Sequence, residues 1–205
     1  MWIYPELFKR LKNGFMYVFS IVYRKIKFPL KRIYRLLNAK KASHFVWLEL
    51  IKCHKGSNWK FGQYDHEKNI KCSFIMEDDH SVVFNYTVQD DSLNFSSILL
   101  NNFDENLTND ILVLASHFNG LLNYGMVKVS LKYNYVEYVY KGDSLTYALF
   151  PADIRFDTDL HYNLTKDCYW AFTTMITTGE DPVFVFSELL RNKENNNTND
   201  VQNEN

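Results

Sequence analysis

From Ile70 to Val88 the apolar residues fall on every second position, on both sides of a short acidic stretch. Ile70, Cys72, Phe74 and Met76 alternate with Lys71, Ser73 and Ile75; after Glu77-Asp78-Asp79-His80 come Val82, Phe84, Tyr86 and Val88. A period of two sends successive side chains to opposite faces of a strand, so this stretch predicts an antiparallel hairpin with one apolar face. That face needs a cover. Trp59 and Phe61 open a shorter strand before the hairpin, and Leu93–Leu99 adds one after the Asp90-Asp91 turn. Val127, Val129, Leu131 and Tyr133 alternate again; Asn134 turns the chain into Val136, Tyr138 and Tyr140; Leu145, Tyr147 and Leu149 suggest a further strand.

The cover comes from segments whose apolar residues recur every three or four positions, the spacing of one helix face. Ser43 can cap a short helix to Lys52 carrying Val46, Leu50 and Ile51. Ile111, Ala115, Phe118 and Leu122, with Leu114 and Leu121 beside them, make a second helix after Thr108 or Asn109, and Gly125 sits shortly past its end. Pro151 begins a third, striped by Leu160, Leu164, Cys168, Phe172 and Ile176 and stopped at Gly179. Asp181-Pro182 is a cap and first-turn pair, starting a last helix through Phe184, Phe186, Leu189 and Leu190. These elements predict an α+β fold in which an antiparallel sheet packs against helices, spanning residues 42–192. Sixteen Phe, fourteen Tyr and four Trp are enough to fill its core. Residues 193–205 are mostly Asn, Glu and Asp with one Val; having nothing to bury, they are expected to form a disordered polar tail.

Charge divides the chain more sharply than its net of −1 suggests. Residues 1–41 hold eleven Lys or Arg against Glu6 alone, which leaves 12 basic and 23 acidic side chains for the rest. Within that arm Leu7, Phe8, Leu11, Phe15, Val18, Phe19, Val22, Ile26, Leu30, Ile33, Leu36 and Leu37 follow helical spacing, with interruptions near Gly14 and Pro29. Such a basic amphipathic helix suits docking to a membrane surface, to a partner chain or to its own domain, with Arg24, Lys25, Lys27, Lys31, Arg32 and Arg35 as the docking cations. Nucleic acid is the less expected partner. Phe15–Tyr23 is about half the ~20 residues a membrane-crossing helix needs, cations follow it at once, and no small-residue cleavage site marks a signal peptide.

Cys53, Cys72 and Cys168 are odd in number and contain no CxxC pair, which predicts free thiols in a reducing, cytoplasmic setting. Asn-x-Ser/Thr sequons at Asn85, Asn94, Asn106 and Asn163 arise by chance in so Asn-rich a chain.

The stretch Asn119-Gly120-Leu121-Leu122-Asn123-Tyr124-Gly125, the strand Met126-Val127-Lys128-Val129, the strand Tyr135-Val136-Glu137-Tyr138 and the closing helix around Leu160–Ile176 together resemble the YbjN-like family of bacterial proteins. That family has a fold similar to type III secretion chaperones. The resemblance covers about two thirds of the chain. It implies a non-catalytic, chaperone-like binding or regulatory domain, without cofactors and without catalytic residues to carry over.

Three groups of residues invite chemistry. Asp157, Asp159 and His161 would share one face of an extended segment and could hold a metal there, the basis for an enzyme reading; on a helix Asp159 points elsewhere, and the plainer expectation is an acidic helix start with His161 partly exposed. Asp65-His66-Glu67 and Glu77-Asp78-Asp79-His80 read as solvated turns, and Cys168, on the apolar stripe, as a buried thiol rather than a nucleophile served by His161 or His117. Tyr133, Tyr135, Tyr138, Tyr140 and Tyr147 fall on adjacent expected strands, where an excess of Tyr on the uncovered face would bind a peptide or protein. The expected function is therefore a module that contacts another protein chain through its sheet, with a homodimer or a subunit of a larger assembly as other outcomes.

Overall fold

The computed structural model of the chain describes residues 38–76 and 80–203. The strands are β1 (Phe61–Tyr64), β2 (Asn69–Ile75), β3 (Ser81–Val88), β4 (Ser92–Asn101), β5 (Met126–Ser130) and β6 (Tyr135–Asp143); the helices are α1 (Ala39–Gly56), α2 (Thr108–Leu121), α3 (Ser144–Leu149), α4 (Ala152–Thr178) and α5 (Pro182–Asn203). All strand pairs are antiparallel, in the order β1-β2-β3-β4-β6-β5. The α+β expectation holds: helices lie over one face, and the alternating residues Ile70, Cys72, Val82, Phe84, Tyr86 and Val88 are buried beneath them as their period requires.

Several boundaries differ from the sequence reading, each for a local reason. Asn38, not Ser43, caps α1, accepting a hydrogen bond from the Lys41 N–H at 3.2 Å. Lys40 and Lys41, grouped with the arm, therefore stand in the first turn of the first described helix, and Ser43 is buried, with Lys68 Nζ 2.9 Å from its hydroxyl. The run Leu145–Leu149 is helix rather than strand. Asp143 ends β6 and caps α3, accepting from the Thr146 N–H at 2.7 Å and the Thr146 hydroxyl at 2.9 Å. At the other end of the chain, α5 runs to Asn203 across the stretch expected to be disordered. Asp181 starts it by accepting from the Val183 N–H at 2.8 Å; once nucleated, a helix adds residues at little cost, and Lys193 pairs with Asp167 of α4.

The turn from α2 into β5 rests on residues within the quoted Asn119–Gly125 stretch. Asn119 accepts from the Val127 N–H at 2.7 Å and donates to the Val127 carbonyl at 2.9 Å, giving that edge-strand residue the partner a further strand would have offered. Gly125 sits at φ +71°, and a Cβ there would come within 2.5 Å of the Val139 carbonyl oxygen and 2.6 Å of the Tyr138 hydroxyl, so only glycine fits.

Candidate binding site

The five tyrosines do not form a common surface. Tyr138 and Tyr147 are core residues, 1% and 2% exposed. Tyr138 points from β6 under the helices, and Tyr147 belongs to α3, not to a strand. Tyr140, half-buried on the core side of β6, stacks obliquely on Phe95 with ring centroids 5.4 Å apart. Tyr135 begins β6 on the uncovered face, and Tyr133 lies in the β5–β6 turn, exposed, with the Lys132 ammonium 5.0 Å from its ring. The excess of Tyr thus serves the core, because Val136, Tyr138, Tyr140 and Gly142 are the inward residues of β6.

Nor do Asp157, Asp159 and His161 converge. All three are on α4, where Asp159 turns outward to Arg155 at 3.7 Å while Asp157 and His161 turn into the core. The Asp157 carboxylate accepts from the Tyr140 hydroxyl at 3.3 Å and from the Tyr147 hydroxyl in a shorter bond. Burial first, then that carboxylate, pushes the Tyr147 phenol far above its ordinary value. His161 is buried rather than partly exposed, and burial lowers its imidazole to about 3. Among the described residues no group of His, Cys, Asp and Glu is arranged to hold a metal ion. Cys168 is fully buried, and desolvation raises its thiol well above the ordinary range. Residues 1–37, including Arg24, Lys25, Lys27, Lys31, Arg32 and Arg35, and the acidic Glu77-Asp78-Asp79, lie outside the described residues.

A different feature emerges in the sheet itself. In β3 the Val88 N–H donates to the Lys68 carbonyl at 2.9 Å, toward β2, and the neighbouring Gln89 N–H donates to the Ser92 carbonyl at 2.7 Å, toward β4. An antiparallel ladder alternates direction residue by residue, so Ser81 and Val83 aim their backbone groups at β4. The register between the strands runs from Val88↔Leu93 to Phe84↔Ser97 and stops there. Val83 and Ile98, next in sequence on the two strands, are not a register pair. Beyond them β3 continues against β2 as far as Ser81↔Ile75, while β4 bends along β6 through an irregularity between Ile98 and Leu100.

The strands open into a cleft of about 600 Å³. Ser81 and Val83 form one lip, Ile98 and Asn101 the other, and Thr173 and Ile176 of α4 contribute to the lining. The Thr173 hydroxyl donates to the Tyr169 carbonyl and that of Thr177 to the Thr173 carbonyl, both at 2.8 Å, so these polar groups are already engaged within the helix. None of the described lining residues is Asp, Glu, Lys or Arg. Val83 and Ile98 are 46% and 48% exposed on the uncovered face, and Ile75, two strands from Ile98, is 70% exposed. The sequence carried one signal of this: Ile75, Val83 and Ile98 are apolar at positions where the alternation calls for polar residues. The break in the ladder itself has no local signature.

No protein-family model matches the chain, and no curated protein matches it. Among the described residues no helix is long and apolar enough to cross a membrane.

Proposed function

We propose that this protein is a non-catalytic binding module that takes up an extended segment of a partner protein in the cleft between β3 and β4. The observation that carries this reading is the end of the β3–β4 register at Phe84↔Ser97, beside a cleft that Val83 and Ile98 line. Unpaired strand edges are templates for another strand, and strand addition draws affinity from main-chain hydrogen bonds and selectivity from alternate side chains. A lining with His80 but without Asp, Glu, Lys or Arg among its described residues favours a segment with small or apolar residues at alternate positions. The resemblance to YbjN-like proteins, with their chaperone-like fold, points the same way. The basic arm would dock to the partner or to an anionic membrane surface, in a cytoplasmic protein.

Selection of a displayed random-peptide library on the full-length chain tests this. Selected peptides should alternate apolar residues and lose at least about tenfold in affinity, about 1.4 kcal/mol, on Ile98→Lys. Val83→Pro should do the same, since it deletes an N–H facing the cleft and leaves the β2 ladder intact. Peptides that bind both folded variants as tightly as the original chain would rule out the cleft.

A further inference from the structure

Two of the six histidines are buried: His54, near the C-terminal end of α1, and His161, in α4. They come from different helices and meet the same residue of the sheet. Tyr86 has its ring centroid 4.8 Å from that of His54 and 5.5 Å from that of His161. Phe84, Phe95 and Tyr138 complete the enclosure of His161 at 5.2, 5.6 and 5.4 Å, and Trp59 and Phe61 enclose His54, each at 5.5 Å. Both nitrogens of His161 lack a hydrogen-bond partner. So does Nε2 of His54, whose Nδ1 contacts the Leu50 carbonyl at 2.9 Å.

We propose that His54, Tyr86 and His161 form an acid-operated latch, which holds α1 and α4 on the sheet while both imidazoles are neutral and releases them when they charge. Histidine is the side chain whose ordinary titration lies in the range where cells vary pH. A proton on either ring would put a charge among aromatic carbons with no water to hydrate it. The titratable groups facing His161 offer no relief. Tyr86 of β3 and Tyr138 of β6 are neutral phenols held above their ordinary values by burial, and Asp157, one turn earlier on α4, has its carboxylate engaged by Tyr140 and Tyr147. Around His54 stand Tyr86, whose hydroxyl has no hydrogen-bond partner, and, on its own helix, Cys53 and Lys55; Cys72 of β2 lies near that hydroxyl, and Asp159 and Arg155 of α4 bear on Cys53. Among the described residues no ion pair or hydrogen bond joins either imidazole to a carboxylate. Cation–π attraction from the surrounding rings opposes release, but it replaces only a part of the lost hydration. Because the two rings sit on two helices, their protonation loosens both halves of the cover together and exposes the aromatic core.

The test uses the full-length protein. Side-chain nitrogen NMR should show His54 and His161 staying neutral until the fold opens. Near-ultraviolet dichroism and dye binding should report a reversible opening below about pH 5, steeper than one proton. His161→Phe and His54→Phe should each move the midpoint to lower pH and reduce the slope. Unchanged midpoint and slope in both would overturn the latch, as would two buried rings that titrate normally in the intact fold. Should either variant fail to fold, the nitrogen titration of the unaltered chain decides alone.

Discussion

The ring of Tyr147 occupies the volume into which a side chain on Gly142 would grow: a Cβ there would lie 2.5 Å from the ring carbon Cζ and closer still to the hydroxyl. Tyr147 cannot yield, because its hydroxyl is bonded to Asp157 and its ring lies 6.5 Å from that of Phe95 in the core. Gly142→Ala is therefore expected to cost about 1–3 kcal/mol by overpacking. Gly120→Ala, in an exposed turn of α2 with nothing within 4 Å of the new methyl, should instead stabilise by about 0.5–1 kcal/mol. Urea denaturation of the two variants reads the difference, and equal effects would contradict the packing described.

Asp157 binds α4 to β6 and α3 at once through Tyr140 and Tyr147. Asp157→Ala would leave two hydroxyls at a buried site without their acceptor, each costing about 1–3 kcal/mol. Asp157→Asn, which keeps an acceptor, should cost less than half as much. A double-mutant cycle with Tyr147→Phe should give a coupling above about 0.5 kcal/mol.

Stability should depend on pH through His161 in a definite direction. Its folded-state value lies below the ordinary 6.5, at about 3, because burial penalises the charged ring. Between those values the unfolded chain binds more protons, so the contribution is whole above pH 6.5 and is lost progressively toward pH 3. At about 1.36 kcal/mol for each tenfold change in proton affinity, the full loss is on the order of 5 kcal/mol. Chemical denaturation between pH 7 and 4 should show stability falling throughout, and His161→Phe should flatten that fall.

Replacing Arg24, Lys25, Lys27, Lys31, Arg32 and Arg35 by Glu reverses the arm's charge without shortening the chain. If the arm docks to anionic lipid, each cation contributes about 1 kcal/mol near the surface. Co-flotation with phosphatidylserine vesicles should then disappear in the variant, and in the original chain at high salt. Flotation of neither protein at low salt would remove the membrane from the arm's role.

Much of the architecture was legible in the residues alone. Period-two runs became β2, β3 and β6, and helical spacing with end signals at Gly179 and Asp181 became α4 and α5. The misread elements share a cause. Leu145, Tyr147 and Leu149 have a strand's spacing, but the Asp143 cap made a helix, and Leu160 and Leu164 mark a stripe on α4 whose buried neighbours are instead Asp157, His161 and Thr165. Polar residues reach a core position only when a partner or an enclosure is waiting there, as the Ser97 hydroxyl of β4 waits 2.7 Å from that of Thr165.

Local pattern thus determined which segments are strands and helices and which sheet face is apolar, because alternation and helical spacing are properties of neighbours in the chain. Tertiary structure alone decided that β3 and β4 part after Phe84 and Ser97, and that two imidazoles close on Tyr86. Those facts depend on the paths of strands and helices far apart in sequence, and the free energy of a pairing made or missed across such distances leaves no mark on the residues beside it.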